Sequence, residues 1–365
     1  MNISIIAGAR PNFMKIAPVV RAFEQRGVRP RIVHTGQHYD RQMSETFFQE
    51  LNIPEPDINL EVGSGGAVWQ VTEVMRRLEE DFNEHPPAVV VVVGDVNSTL
   101  AAALTAAKLS LPLAHVEAGL RSFDRTMPEE SNRVVTDTLA DWLFTSEPSG
   151  DANLHNEGVA PEKIHLVGNV MIDTLLAHLE RAREQKVYET FGVRPKEFAL
   201  LTLHRPSNVD DPERFEPILK AIHEISEQIP VIFPIHPRSR SRIAEFGFGD
   251  RKELGGFTMV EPQGYHVMLG LIDAARLVLT DSGGIQEETT VLQVPCLTIR
   301  ENTERPVTID IGSNQLVGWK TDAIVKPAKK ILAAEIGPRG EVPEKWDGRA
   351  AERIVEILLR DLAPC

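Results

Sequence analysis

The sequence predicts an α/β protein made of two doubly wound halves, each a parallel sheet covered by helices. Three observations predict it. Short apolar runs alternate with helix-period stretches along the whole chain, the pattern of strands joined by crossover helices. The purest run, Val89-Val90-Val91-Val92-Val93, has no polar face and leads into Gly94-Asp95, as a strand buried on both faces would. After Gly168-Asn169 the alternation starts again, so the 365 residues divide into two units, which their number also suggests.

In order along the chain, the first strand is Ile3–Ala7, followed by a turn at Gly8 and a helix from about Phe13. Residues 31–35, 88–93, 113–116 and 142–145 continue the strand pattern. The second half restarts it at 198–203, 231–235, 258–260, 277–280 and 296–299. A closing helix over 348–362 carries Ala351, Ile354, Val355, Leu358 and Leu359 at helical spacing. The predicted division is therefore 1–170, 171–347, and a C-terminal helix 348–365 packing back on the first domain.

Composition narrows the function. With 39 basic and 53 acidic residues the net charge is −14, which argues against a nucleic-acid coat or an anionic membrane surface. There is no run of eighteen apolar residues to span a membrane, and the first residues lack a basic leader segment. A cytoplasmic location is expected. Cys296 and Cys365 cannot make a disulfide framework.

The sharpest local signal is Leu279-Thr280-Asp281-Ser282-Gly283-Gly284-Ile285-Gln286-Glu287-Glu288, a strand feeding a small-residue turn and then a helix. Free N–H groups and the helix dipole at such a turn favour an anion, usually phosphate, and the glycines let it approach the backbone. An ordinary strand–turn–helix corner reads the same way, so the other strand ends matter. They are Gly8-Ala9-Arg10, Gly36-Gln37-His38, Gly94-Asp95, Glu117-Ala118-Gly119, His204-Arg205 and His236-Pro237-Arg238. Each alone has an ordinary explanation: Asp95 could cap a helix from Ser98, Glu117 could cap another, and Lys15 could be a surface lysine. Together they fit a ligand crevice beyond the carboxyl ends of parallel strands. Two such crevices, one per domain, would converge on one cleft of mixed charge.

These residues resemble those of the non-hydrolysing UDP-N-acetylglucosamine 2-epimerase family. The resemblance covers about residues 1–318 and rests on ordered matches. They are Gly8-Ala9-Arg10-Pro11 with Lys15, Thr35-Gly36-Gln37-His38, Gly94-Asp95, and His115-Val116-Glu117-Ala118-Gly119-Leu120-Arg121. Pro128-Glu129-Glu130-Ser131-Asn132-Arg133, Gly168-Asn169, His204-Arg205, the 280–288 turn and Thr303-Glu304-Arg305-Pro306 complete the set. It implies two Rossmann-like domains facing across a cleft, as in GT-B glycosyltransferases, a homodimer, and no metal or redox cofactor.

The implied activity is inversion at C2 of the sugar of UDP-N-acetylglucosamine. Breaking the anomeric C–O bond first expels UDP and makes the C2 proton acidic; its loss gives a 2-acetamidoglucal, and UDP re-adds after protonation on the other face. The resemblance assigns acid/base roles to Asp95, Glu117 and Glu130, with Glu117 and Glu130 handling protons at C2, Asp95 their partner base or the group that tunes them, and His204 beside the diphosphate. It implies that Arg10, Lys15 and Arg305 reach the nucleotide, that Ser282, Gly283 and Gly284 cradle phosphate, and that Glu288 holds the ribose. Gln263 and Met268 fall where the family contacts uracil, and Arg205 with His236 where an activating second UDP-sugar would sit.

Three positions depart from the family's usual motifs: Asn12-Phe13-Met14 after Arg10-Pro11, Pro206-Ser207 after His204-Arg205, and Val307 after Pro306. They leave the exact sugar open, including a 3-amino or uronic acid relative. Rival readings are a hydrolysing epimerase, a GT-B glycosyltransferase and a nucleotide-sugar binding module without catalysis.

Overall fold

A computed structural model of the chain describes residues 2–8, 10–36, 51, 53–335 and 340–363, without the side chains of Arg10 and Pro11. Ala9, Gln37, His38 and Cys365, named above, lie outside the described residues. The chain divides into two compact units, residues 1–174 with 344–365, and residues 175–343, a few residues from the boundaries read at 170 and 347.

Among the described residues the first unit holds a seven-stranded sheet of parallel pairs in the order β3-β2-β1-β4-β5-β6-β7. Its strands are β1 (Ile3–Ala7), β2 (Arg31–His34), β3 (Ile58–Asn59), β4 (Val89–Val93), β5 (Leu113–Ala118), β6 (Trp142–Thr145) and β7 (Ile164–Leu166). Its helices are α1 (Arg10–Gln25), α2 (Ala67–Glu84), α3 (Asn97–Lys108), α4 (Pro128–Leu139) and α5 (Pro148–Asn156), and the division falls within α6 (Val170–Glu184). β4 sits mid-sheet with all five valines buried, as a run without a polar face requires. The order reverses at β1, so the loops after β1 and β4 part and leave room for a ligand beyond the strand ends.

The second unit repeats the plan with six parallel strands in the order β10-β9-β8-β11-β12-β13. They are β8 (Ala199–Thr202), β9 (Val231–Pro234), β10 (Thr258–Val260), β11 (Leu277–Thr280), β12 (Cys296–Thr298) and β13 (Asn314–Leu316). The helices are α7 (Pro206–Val209), α8 (Pro212–Ser226), α9 (Pro237–Glu245), α10 (Tyr265–Ala274), α11 (Gly283–Leu292), α12 (Val307–Asp310) and α13 (Thr321–Ala333). Successive side chains on a strand face opposite ways. Leu201, Phe233, Leu277 and Leu279 accordingly join one buried cluster, while Leu200, Ile232 and Val278 join another on the far face.

The last helix, α14 (Ala350–Asp361), belongs to the first unit and packs on α1. The buried carboxylate of Asp173 accepts from the backbone N–H groups of Ala350 (3.1 Å) and Ala351 (2.7 Å), supplying the cap that α14 lacks locally. Trp346 is buried before it, donating from Nε1 to the Ser146 carbonyl at 2.8 Å.

Several sequence-based boundaries need correction. The first helix begins at Arg10, not Phe13. β5 runs to Ala118, so Glu117 lies inside a strand and caps no helix. The residue capping α3 is Val96, without a side-chain hydrogen bond, so Asp95 is not its cap. β3, β7 and β13, two or three residues each, had no strand pattern of their own to read.

Candidate active site

In the first unit the strand ends gather charge. Asn12, one turn into α1, accepts from Gly8 N–H at 3.2 Å and donates to the Val93 carbonyl at 3.0 Å, tying the end of β1 to the end of β4. Lys15 follows on the same helix. It is buried, and its Nζ lies 2.5 Å from Glu117 Oε2, which excludes the surface-lysine reading. Gly94 has φ +71° and faces this ammonium, so a Cβ there would sit 3.1 Å from Nζ.

Glu117 is held in an uncommon backbone state. Its φ is +70°, and the β5–β6 register slips between Val116 and Ala118, which makes a bulge at this residue. Left-handed backbone at a non-glycine inside a strand is costly and persists only where the surroundings over-determine it. Here Gly119 N–H donates to Asp137 Oδ2 at 3.1 Å, and the Arg133 guanidinium donates to the Glu117 carbonyl. Gly119 itself packs so closely that a Cβ would stand 2.4 Å from the Gly150 carbonyl oxygen.

Arg133, from α4, joins two of the predicted carboxylates. Its Nη2 lies 2.5 Å from Asp95 Oδ2 and 3.2 Å from Glu117 Oε1, so Lys15, Glu117, Arg133 and Asp95 form one chain of alternating charge. Buried ions on this scale survive only when paired. Glu130, on the first turn of α4, is buried nearby in sequence but occupied differently. It accepts from Ser122 N–H (2.8 Å), Ser122 Oγ (2.9 Å) and Phe123 N–H (3.1 Å), so its carboxylate holds the loop leaving β5. The structure thus joins Lys15 to Glu117 directly and Glu117 to Asp95 through Arg133, and leaves Glu130 outside that chain.

The second unit presents a helix N-terminus with an arginine beside it, and a hollow. Ser282 caps α11, whose first residues Gly283 and Gly284 begin the helix and do not precede it as a loop. The Arg305 side chain faces Gly283, 3.8 Å from where a Cβ would be, and is fixed by Glu287 Oε1 at 2.7 Å from its Nε. A cation held over a helix N-terminus suits a phosphate. Glu288 lies a turn into the same helix, and burial, with the Glu287 charge beside it, pushes its carboxyl up to about 8.

Asp281 organises the next loop from beneath. It is buried and accepts from the backbone N–H of His204 (3.1 Å) and Arg205 (2.9 Å), with His204 Nδ1 at 3.0 Å. Burial alone would raise its carboxyl; the His204 and backbone hydrogen bonds outweigh this and hold it below 3.8. A hollow of about 150 Å³ opens beyond β8 and β9, lined by His204, His236, Gln263 and Met268 among others. Arg205 is not in that lining: its Nε donates to the Asp281 carbonyl at 3.0 Å and its guanidinium pairs with Glu304 at 3.2 Å. His236 thus lines the hollow, and Arg205 follows His204, which lines it too.

Sequence reasoning gives no site role to Arg133, Asp137 or Asp281, and of the neighbouring Glu287 and Glu288 it cannot say which faces a ligand. Arg133 and Asp281 stand inside the quoted motifs, and Asp137, one helical turn past Arg133, is the signal available for the third. The side chain of Arg10 lies outside the described residues.

A sign-definite pH effect follows from Glu288. The folded carboxyl keeps its proton up to about 8 and the unfolded one only to 4.5. The folded chain therefore binds more protons across that window, and stability falls as pH rises through it. Glu288→Gln is expected to raise the Tm of the ligand-free protein at pH 8 and to leave it nearly unchanged at pH 4.5, checked by calorimetry at both. An equal shift at the two values would contradict the buried-charge argument.

The sequence profile of a family described as UDP-N-acetylglucosamine 2-epimerase matches residues 21–359. The UDP-N-acetylglucosamine 2-epimerase of Methanocaldococcus jannaschii is 43% identical over 364 residues, 98% of this chain and 99% of that protein. The UDP-2,3-diacetamido-2,3-dideoxy-D-glucuronate 2-epimerase of Pseudomonas aeruginosa is 42% identical over 366 residues, 99% of this chain and 100% of its own. The fold is similar to the crystal structure of the Methanocaldococcus jannaschii UDP-GlcNAc 2-epimerase in complex with UDP-GlcNAc and UDP. The TM-score is 0.90, covering 99% of this chain and 100% of the other.

Proposed function

Since the chain belongs to the UDP-N-acetylglucosamine 2-epimerase family, we propose that it interconverts UDP-N-acetylglucosamine and UDP-N-acetylmannosamine by elimination and re-addition of UDP. The observation that carries this reading is the pair of carboxylates, buried Glu117 and half-buried Asp95, bridged by Arg133, with Lys15 against Glu117. A protein that only bound a nucleotide sugar would gain nothing from holding two acids at that expense.

In the proposed reaction the anomeric C–O bond breaks with its electron pair leaving on the β-phosphate of UDP. The N–H groups at the start of α11, Arg305 and His204 stabilise the departing diphosphate. Positive charge at C1 acidifies the C2 proton, which a carboxylate of the first unit removes to give the glycal. Asp95 and Glu117 serve the proton at C2, and Glu130 joins them when the 122–123 backbone releases it. A proton delivered to the other face of C2 and re-addition of UDP at C1 complete the inversion without net oxidation or reduction. Gln263 and Met268 hold the uracil, Glu288 the ribose, Arg10 and Lys15 the nucleotide side of the leaving group. Arg205 and His236 are the proposed contacts for an activating second UDP-sugar.

A second reading keeps the chemistry and changes the sugar, because one relative of equal similarity is named for a diacetamido uronate. Proton NMR in deuterated water, run with each UDP-sugar, separates them. The expected result is UDP-N-acetylmannosamine carrying deuterium at C2. Exchange with the diacetamido uronate alone would transfer the assignment to that sugar, and free UDP with released sugar would favour hydrolysis. A homodimer located in the cytoplasm is part of the proposal; Val68 and Trp69 stand exposed at the start of α2, and no described helix is long and apolar enough to cross a membrane.

A further inference from the structure

Beneath the Glu117 bulge lies a histidine that the proposed chemistry leaves unused. His115 is on β5, two residues before Glu117, with none of its surface exposed. Its Nδ1 is 2.6 Å from Asp137 Oδ1 and its Nε2 is 2.8 Å from the Gly94 carbonyl oxygen. A carbonyl oxygen can only accept, and an ionised carboxylate can only accept. Asp137 is ionised on grounds that do not involve the histidine: burial pushes its carboxyl up, but the Arg121 guanidinium against it, the Arg133 charge nearby and the Gly119 N–H all favour the charged form. Its other oxygen is already used by Gly119 N–H at 3.1 Å and Arg121 Nη1 at 2.7 Å. A neutral imidazole, with one N–H, would aim a bare lone pair at one of these two acceptors at hydrogen-bonding distance.

We propose that His115 carries hydrogens on both ring nitrogens and is a positioning residue that ties the Asp95 loop to the Glu117 bulge. One N–H grips Gly94, the residue before Asp95. The other grips Asp137, which in turn holds Gly119, two residues after Glu117. The two carboxylates thus take their separation from a buried brace as well as from Arg133.

The positioning role rests on Asp95 and Glu117 acting at C2; the protonation does not, so the two are tested separately. The first measurement is long-range proton–nitrogen correlation on the full chain labelled with 15N-histidine at pH 7.5, with His115 assigned by its loss in His115→Phe. The expected result is a one-bond N–H coupling at both ring nitrogens. One bonded and one bare nitrogen would overturn the proposal. The second measurement compares C2 deuterium exchange with scrambling of a bridging 18O label, which reports C–O cleavage alone. In His115→Phe the C2 exchange is expected to fall about 100-fold, the scale of an ångström misplacement, with 18O scrambling kept within about tenfold. His115→Gln, which keeps a donor toward one partner, falls in between. A parallel loss of both signals would show a merely structural role and overturn the positioning assignment. If the wild-type protein exchanges C2 of no UDP-sugar, the functional reading and the positioning role fall together, while the nitrogen spectrum still decides the protonation.

Discussion

Glu117→Gln is expected to lower kcat for C2 epimerisation by about 10²–10⁴-fold, the contribution of a positioned acid or base, while UDP binding is retained. The substitution keeps the side-chain shape on a bulge with φ +70° and removes only the charge and basicity. It also takes the carboxylate from Lys15, 2.5 Å away, and from Arg133, which keeps its ion pair with Asp95. Breaking a buried pair from one side costs about 3–5 kcal/mol, so a lower Tm is expected beside the lost turnover. The two effects are separable, because the proposed uracil, ribose and phosphate contacts of Gln263, Met268, Glu288 and the start of α11 do not include Glu117. Titration calorimetry with UDP, set against initial rates of C2 deuterium exchange, makes the comparison. Near-normal exchange in the variant would remove Glu117 from the chemistry.

Asp281→Asn is expected to have the largest effect on the second unit. The carboxylate has no exposed surface and takes hydrogen bonds from His204 N–H, Arg205 N–H and His204 Nδ1. An amide of the same shape turns one acceptor into a donor that must face those donors, and buried groups left unpaired are costly. The expected results are a loss of UDP affinity of at least about tenfold, from about 1–3 kcal/mol of unmet hydrogen bonding, and a lower Tm. The acid limb gives a second check. The folded carboxyl is held below 3.8, so its stabilisation is complete above that value and drains away as pH falls toward the folded value. The gap in stability between wild type and Asp281→Asn should therefore be widest at neutral pH and close below about pH 4. A gap that does not depend on pH would refute the charged role of Asp281.

Much of the architecture was legible because its causes are local. The valine run of β4 could bury no polar face, and the strands 142–145, 258–260 and 277–280 were read to the residue. β3, β7 and β13 escaped because two or three residues cannot display a period, and Asn59, His165, Asn314 and Gln315 dilute what pattern there is. In the candidate site, the residues at strand ends were visible as a set. What the set does to itself was not. Lys15 read equally well as a surface lysine until its ammonium was found against Glu117. Glu130 looked equivalent to Glu117, yet its oxygens are taken by Ser122 and Phe123. Motif spacing could not show that Arg205 bonds the Asp281 carbonyl while His236 lines the hollow.

By itself, then, the sequence determined the two α/β units, the chemistry-bearing residue types at their strand ends and the family to which they belong. Periodicity, turn residues and motif spacing act over a few residues and need no partner. Tertiary structure alone decided which ionisable groups are paired, which is braced and which carry altered proton affinity. The bulge at Glu117 is set by Arg133 and Asp137 on another helix, and the proton on Glu288 by burial with Glu287. Desolvation and Coulomb energy depend on distance through space, and in a chain that fixes no such distance locally only the fold can assign them.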